Sequence, residues 1–132
     1  MTAAAVTVYS EAVHFLEAPR GLAGTEFTLF HVENGLYALR AADDSARLFV
    51  VHGSLLPSYA PVVTDAQAEQ LGLRRGEDAE VYVVVNPAGD EPVVNLVAPI
   101  VVNRASRAAL QLVIDDESLS VREPLAPLLA AS

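Results

Sequence analysis

On both sides of Asn34-Gly35 the chain alternates apolar and polar positions, TLFHVENGLYALRA, with the period of two that belongs to a half-buried strand. Asn-Gly supplies two residues that accept positive φ, which a type I′ turn between paired strands requires, so this stretch is predicted as a β-hairpin. In that register Phe30 and Val32 share a face with Tyr37 and Leu39, and His31 lies opposite with Glu33 and Arg40. The pattern continues along the chain. AADDSA reads as a turn into RLFVVH, EVYVVVN is joined to PVVNLV through PAGDE, and ALQLVI and LSVRE flank the acidic turn DDES. About eight or nine short strands with tight connections predict a mainly β chain, a small antiparallel β-barrel or roll.

One short helix is signalled, in TDAQAEQLGL. Thr64 can cap the first amides while Gln67 reaches back to it, and Gly72 suits a left-handed exit. No internal repeat is present. The ends, MTAAA and the proline-broken PLAPLLAAS, lack strand or helix signals, so a single domain over 6–125 is expected, with flexible tails at 1–5 and 126–132.

NLVAPIVVN breaks the regular pattern. Read as a strand, Leu96, Ala98, Ile100 and Val102 form one wholly apolar face, and Asn95, Val97, Pro99, Val101 and Asn103 the other. Pro99 has no amide hydrogen to give to a ladder, so the run must bend or bulge there, as at a barrel corner. Asparagines at both ends can tie off turns with their side chains. Asn95, inside the strand, is expected to do so. Asn103, beside Arg104 where the chain leaves the sheet, is expected to reach outward as part of a contact surface.

Composition narrows the function more than the fold. The chain has 132 residues, no cysteine, and 17 acidic against 8 basic residues, for a net charge of −9. Disulfides and thiolate chemistry are therefore absent, and like-charge repulsion disfavours direct contact with nucleic acid or anionic membranes, whereas a basic protein partner is favoured. Apolar residues make up 52% of the chain, yet no stretch approaches the ~18 uninterrupted apolar residues of a membrane helix, so a soluble chain is expected. The start carries no export pattern, which places it in the cytoplasm as an expectation.

No motif for catalysis emerges. His14, His31 and His52 lie roughly twenty residues apart, without the close spacing that puts two metal ligands on one face. The HGS run at His52 to Ser54 sets a base near a hydroxyl but lacks the G-x-S-x-G elbow, and is read as a turn. Asp115 to Glu117 is read as a solvated turn, because a hard cation needs six or more oxygens at set spacing. No enzyme, metal or cofactor is assigned. A small-molecule-binding barrel is the alternative reading, and it would need small residues pointing inward where Leu, Val and Phe dominate.

Taken in order, GLAGTEF, LPSY leading into TDAQAEQLGL, NLVAPIVVNR and SVREPL resemble the flagellar assembly factor FliW family, from about Val6 to Leu125. The resemblance implies a cytoplasmic protein-binding switch and flagellin chaperone rather than an enzyme. Such proteins bind newly made flagellin and also CsrA, a small dimeric RNA-binding regulator that represses flagellin translation, with one partner displacing the other. It implies antagonism of CsrA whenever flagellin is scarce. On the matching motifs the partner-binding candidates are Tyr59, Asn95, Pro99, Asn103 and Arg104.

Overall fold

The computed structural model describes residues 10–87 and 89–130. Among these residues nine strands form one sheet: β1 Ser10–Phe15, β2 Glu26–Glu33, β3 Leu36–Ala41, β4 Arg47–His52, β5 Ala79–Asn86, β6 Val93–Val94, β7 Ile100–Asn103, β8 Ala108–Gln111 and β9 Glu123–Pro124. Seven of them close into a barrel in the order β1-β2-β3-β4-β5-β7-β8, with β6 and β9 extending the sheet beyond the far half of β5. The ladders are antiparallel except one: β1 and β8 run parallel, pairing His14 with Ala108 and Phe15 with Ala109. The strand expected in LSVRE contracts to Glu123–Pro124, because Ser120 and Arg122 turn the chain locally through their own hydrogen bond.

The hairpin forms at Asn34-Gly35, both with positive φ. Its faces differ from the alternation read along the sequence. His31 pairs with Tyr37 and Glu33 with Leu36, which leaves Val32 as an extra residue in a β-bulge. Before the bulge, parity therefore puts His31 with Tyr37 and Leu39, and Phe30 with Ala38 and Arg40. The outward Phe30 ring lies under the Arg40 guanidinium at 4.8 Å.

Inside the barrel Val13, Phe15, Phe27, Leu29, Leu39, Val50, Ile100 and Val102 pack together, and Phe15 meets Phe27 edge to face. The helix α1, Asp65–Leu71, is capped as its sequence predicts: Thr64 and Gln67 bond reciprocally, and Gly72 adopts a left-handed φ of 71°. It lies against the outside of β7 and β8, burying Leu71 with Val101, Leu110, Leu112 and Ile114. Each such side chain, fully buried, contributes about 1.5–3 kcal/mol. A third apolar cluster, of Val51, Leu56, Val83, Val85, Val94, Leu96 and Leu125, covers the outside of β4 and β5. Strands β5 and β7 are therefore covered on both faces, which explains why EVYVVVN and PIVV show no polar alternation.

The tail expected beyond Leu125 instead begins as a second short helix, α2, Leu125–Ala130, with Leu128 packed on that third cluster. The tail expected at 1–5 and the last two residues lie outside the described residues.

Candidate functional site

NLVAPIVVN is a bulge of unusual width. Three steps along β5, from Val85 to Tyr82, face six steps on the partner chain, from Val94 to Ile100. The additional backbone is satisfied from four separate places. The Tyr59 hydroxyl donates to the Leu96 carbonyl at 2.6 Å, the Ile114 amide to Val97, the Gln111 side-chain amide to Ala98, and the Leu112 amide to Pro99. Leu96, Ala98 and Pro99 are buried. Proline suits a position whose amide has no ladder partner.

The five sequence candidates separate accordingly. Asn95 behaves as expected, its Oδ1 accepting from the Val97 and Ala98 amides at 3.0 and 3.2 Å and starting the bulge. Tyr59 is half-buried, and burial pushes its hydroxyl up to about 12, so it stays a donor at any physiological pH. Pro99 lies in the interior. The outward placement expected for Asn103 is corrected, since its side chain is buried. Asn103 Nδ2 donates to the Leu71 carbonyl at 2.9 Å, and its Oδ1 accepts from the Ala105 and Ser106 amides. The helix end needed a donor for its carbonyl, and the strand supplied it. Only Arg104 is exposed, reaching Glu80 at 3.2 Å. Tyr59, Asn95 and Pro99 thus meet at the bulge, while Asn103 and Arg104 sit at the other end of β7.

Beside Tyr59 lies a groove that the sequence reading missed. It has a volume of about 420 Å³ and runs between the Ser58–Thr64 segment and the Val113–Leu119 segment. Tyr59, Val62, Val113 and Leu119 give it apolar lining, and Val62 and Val113 are 77% and 48% exposed. Asp115 and Asp116 stand on its wall, and no basic side chain among the described residues lines it. The signal was divided between APVV and LVIDD, which only the folded chain brings together.

A second cleft, of about 520 Å³, opens at the barrel mouth near Ser10, Glu11, His31, Tyr37, Glu80 and Tyr82. Its charges are compensated. Arg107 Nη2 lies 2.6 Å from Glu11 as an ion pair off the line of a hydrogen bond, and Nη1 lies 3.9 Å from Glu80. Glu80 also accepts from the Tyr82 hydroxyl and stands 3.6 Å from His52. Burial, and then the bond to Glu80, raise the Tyr82 pKa far above the ordinary phenol value. The sequence hinted at this only through Glu80, the one charge inside an otherwise apolar strand.

The remaining motifs resolve locally. His52 Nδ1 accepts from the Ser54 amide and contacts the Ser54 hydroxyl at 2.8 Å, capping a 3-10 turn at Gly53–Leu55. Asp116 bonds the Ser118 amide and hydroxyl, which lowers its pKa and closes the DDES turn. Among the described residues no group of three His, Asp or Glu side chains could hold a metal ion, and no helix is long and apolar enough to cross a membrane. The void inside the barrel measures about 10 Å³, between Val13, Leu29, Val50, Tyr82 and Ile100. A space of that size holds at most about one water and leaves no room for an organic ligand.

The family model described as FliW protein matches residues 2–125. Flagellar assembly factor FliW of Syntrophus aciditrophicus is 33% identical over 113 residues, covering 78% of this chain and 72% of the relative. The protein of the same name from Moorella thermoacetica is 32% identical over 127 residues, covering 88% and 78%. A crystal structure of the flagellar assembly factor FliW superposes with a TM-score of 0.77 at 25% identity, covering 86% of this chain and 84% of that one.

Proposed function

Because the chain belongs to the FliW family, we propose that it is a flagellar assembly factor acting in the cytoplasm as a protein-binding switch between flagellin and the translational regulator CsrA. The observation that carries this reading is the family match along residues 2–125, which includes both the Tyr59 segment and the Asn95–Pro99 bulge. The switch needs no catalysis. It binds flagellin when flagellin is plentiful, leaving CsrA to repress, and it antagonises CsrA once flagellin has been exported.

Charge supports the same reading. An acidic chain of net charge −9 docked on a basic RNA-binding dimer lowers the potential that draws phosphates to that dimer, without having to cover the RNA site. Of the five candidate residues, Arg104 is free to touch a partner directly. Asn95, Pro99 and Asn103 act by holding the shape of the surface around them, and Tyr59 does so through its bond to Leu96 while its ring lines the groove beside it.

Calorimetric titration of the purified chain with CsrA and with monomeric flagellin from its own organism tests the proposal. Binding of each, with flagellin displacing CsrA, is the expected result. Failure to bind either protein would overturn it.

A further inference from the structure

The groove between Ser58–Thr64 and Val113–Leu119 has an occupant that its chemistry selects. Its lining exposes branched aliphatic carbon at Val62 and Val113, which water solvates unfavourably. Beside them the Asp115 carboxylate has no partner among the described residues, and the Asp116 carboxylate bonds only Ser118 there. Among the described residues no cation lines the groove to answer these two charges. We infer that the groove docks a short basic segment of a protein partner, one carrying a branched aliphatic side chain next to arginine or lysine.

Charge discriminates between the possible occupants. Nucleic acid and anionic lipid meet two carboxylates on a chain of net charge −9. A second copy of the chain brings the same negative charge. A wholly apolar segment would leave the Asp115 wall unanswered, whereas a basic segment pairs with it while its aliphatic side chain covers Val62. The groove, about 420 Å³, accepts a few side chains rather than a folded domain. This inference rests on the reading of the chain as protein-binding, and adds to it a place and a chemistry.

The test is an NMR titration of the ¹⁵N-labelled chain with a short synthetic peptide alternating arginine and valine. Two controls replace its arginines with glutamate or with glutamine. Saturable shifts of the Val62, Val113, Asp115 and Leu119 amides are expected with the arginine peptide alone. Val62→Glu should weaken binding roughly tenfold, as loss of an apolar anchor does. Asp115→Asn should weaken it roughly threefold, in line with an exposed charge pair. Thermal melts verify that both variants fold, as substitutions at exposed positions should. Absence of saturable shifts, shifts centred on another face, or equal binding of the glutamine peptide would overturn the inference. So would concentration-dependent shifts at these amides without peptide, which would make the occupant a second copy. If the peptide binds as expected while CsrA and flagellin do not bind the chain, the groove stands and the proposed function falls.

Discussion

Asn103 Nδ2 donates to the Leu71 carbonyl at 2.9 Å, so a side chain from β7 closes the end of α1, 32 residues earlier in the chain. The same side chain holds the Ala105 and Ser106 amides that begin the turn into β8. One asparagine therefore fixes the helix to the barrel and shapes the next connection. Asn103→Ala is expected to cost about 2–3 kcal/mol, because it removes bonds in both directions and strips the buried Leu71 carbonyl of this donor. Asn103→Asp keeps the acceptor but loses the donor and sets a charge against a carbonyl, so it should cost at least as much. Urea denaturation of the two variants checks both.

Tyr59→Phe strips the Leu96 carbonyl of its donor, and a loss of about 1–2 kcal/mol is expected at neutral pH. The alkaline limb should change as well. Burial raises Tyr59 from 10.0 to about 12, so the folded chain holds this proton more tightly than the unfolded chain does. Its contribution is fully present below about pH 10 and is lost as pH rises towards about 12. Urea midpoints measured between pH 8 and 12 should fall less steeply in Tyr59→Phe than in the parent.

The acid limb has a different origin. The Arg74 and Arg75 amides, bonded to the Asp78 carboxylate, hold its pKa below 3.8. This contribution is present above the unfolded value and disappears as pH falls through the lower folded value. Asp78→Asn should flatten the dependence of the melting temperature on pH below about 4.

Gly35→Ala should destabilise the hairpin for two reasons. Gly35 has a φ of +79°, and an added Cβ would meet Leu55 Cδ1 at 2.5 Å. A loss of about 1–3 kcal/mol is expected, measured by thermal melting. Leu55→Ala in the same chain should recover the part due to contact and leave the part due to backbone strain.

At the barrel mouth, Arg107→Met leaves Glu80, which is 17% exposed in its side chain, with the half-exposed Arg104 as its remaining cationic neighbour and the His52 ring 3.6 Å away. About 1–3 kcal/mol should be lost. Pairing it with Glu80→Gln should cost less than the two single changes added together, and a double-mutant cycle in urea reads the difference.

What the sequence disclosed was local. Asn34-Gly35 and the Thr64–Gln67 cap carry their geometry in adjacent residues, and both formed as read. The face of β2 was misread because one extra residue, Val32, reverses the parity and leaves no mark in the apolar pattern. Asn103 was misread because its partners on α1 lie far away in the sequence, so nothing beside it signalled burial. Pro127 concealed α2, although proline is tolerated in the first turn of a helix. The groove depended on two loops that meet only after the barrel has closed.

The parallel seam between β1 and β8 has a kinetic consequence. It is the shortest ladder of the barrel, with two registered pairs, and it joins His14 to Ala108 across most of the chain. Every other barrel ladder brings together strands much nearer in sequence, so this contact bears the largest loop-closure cost for the fewest bonds. The seam should zip last during folding and unzip first under native conditions, with the Leu16 amide, bonded to Ala109 across it, exchanging hydrogen well before the Leu39 amide at the centre of the β2–β3–β4 meander.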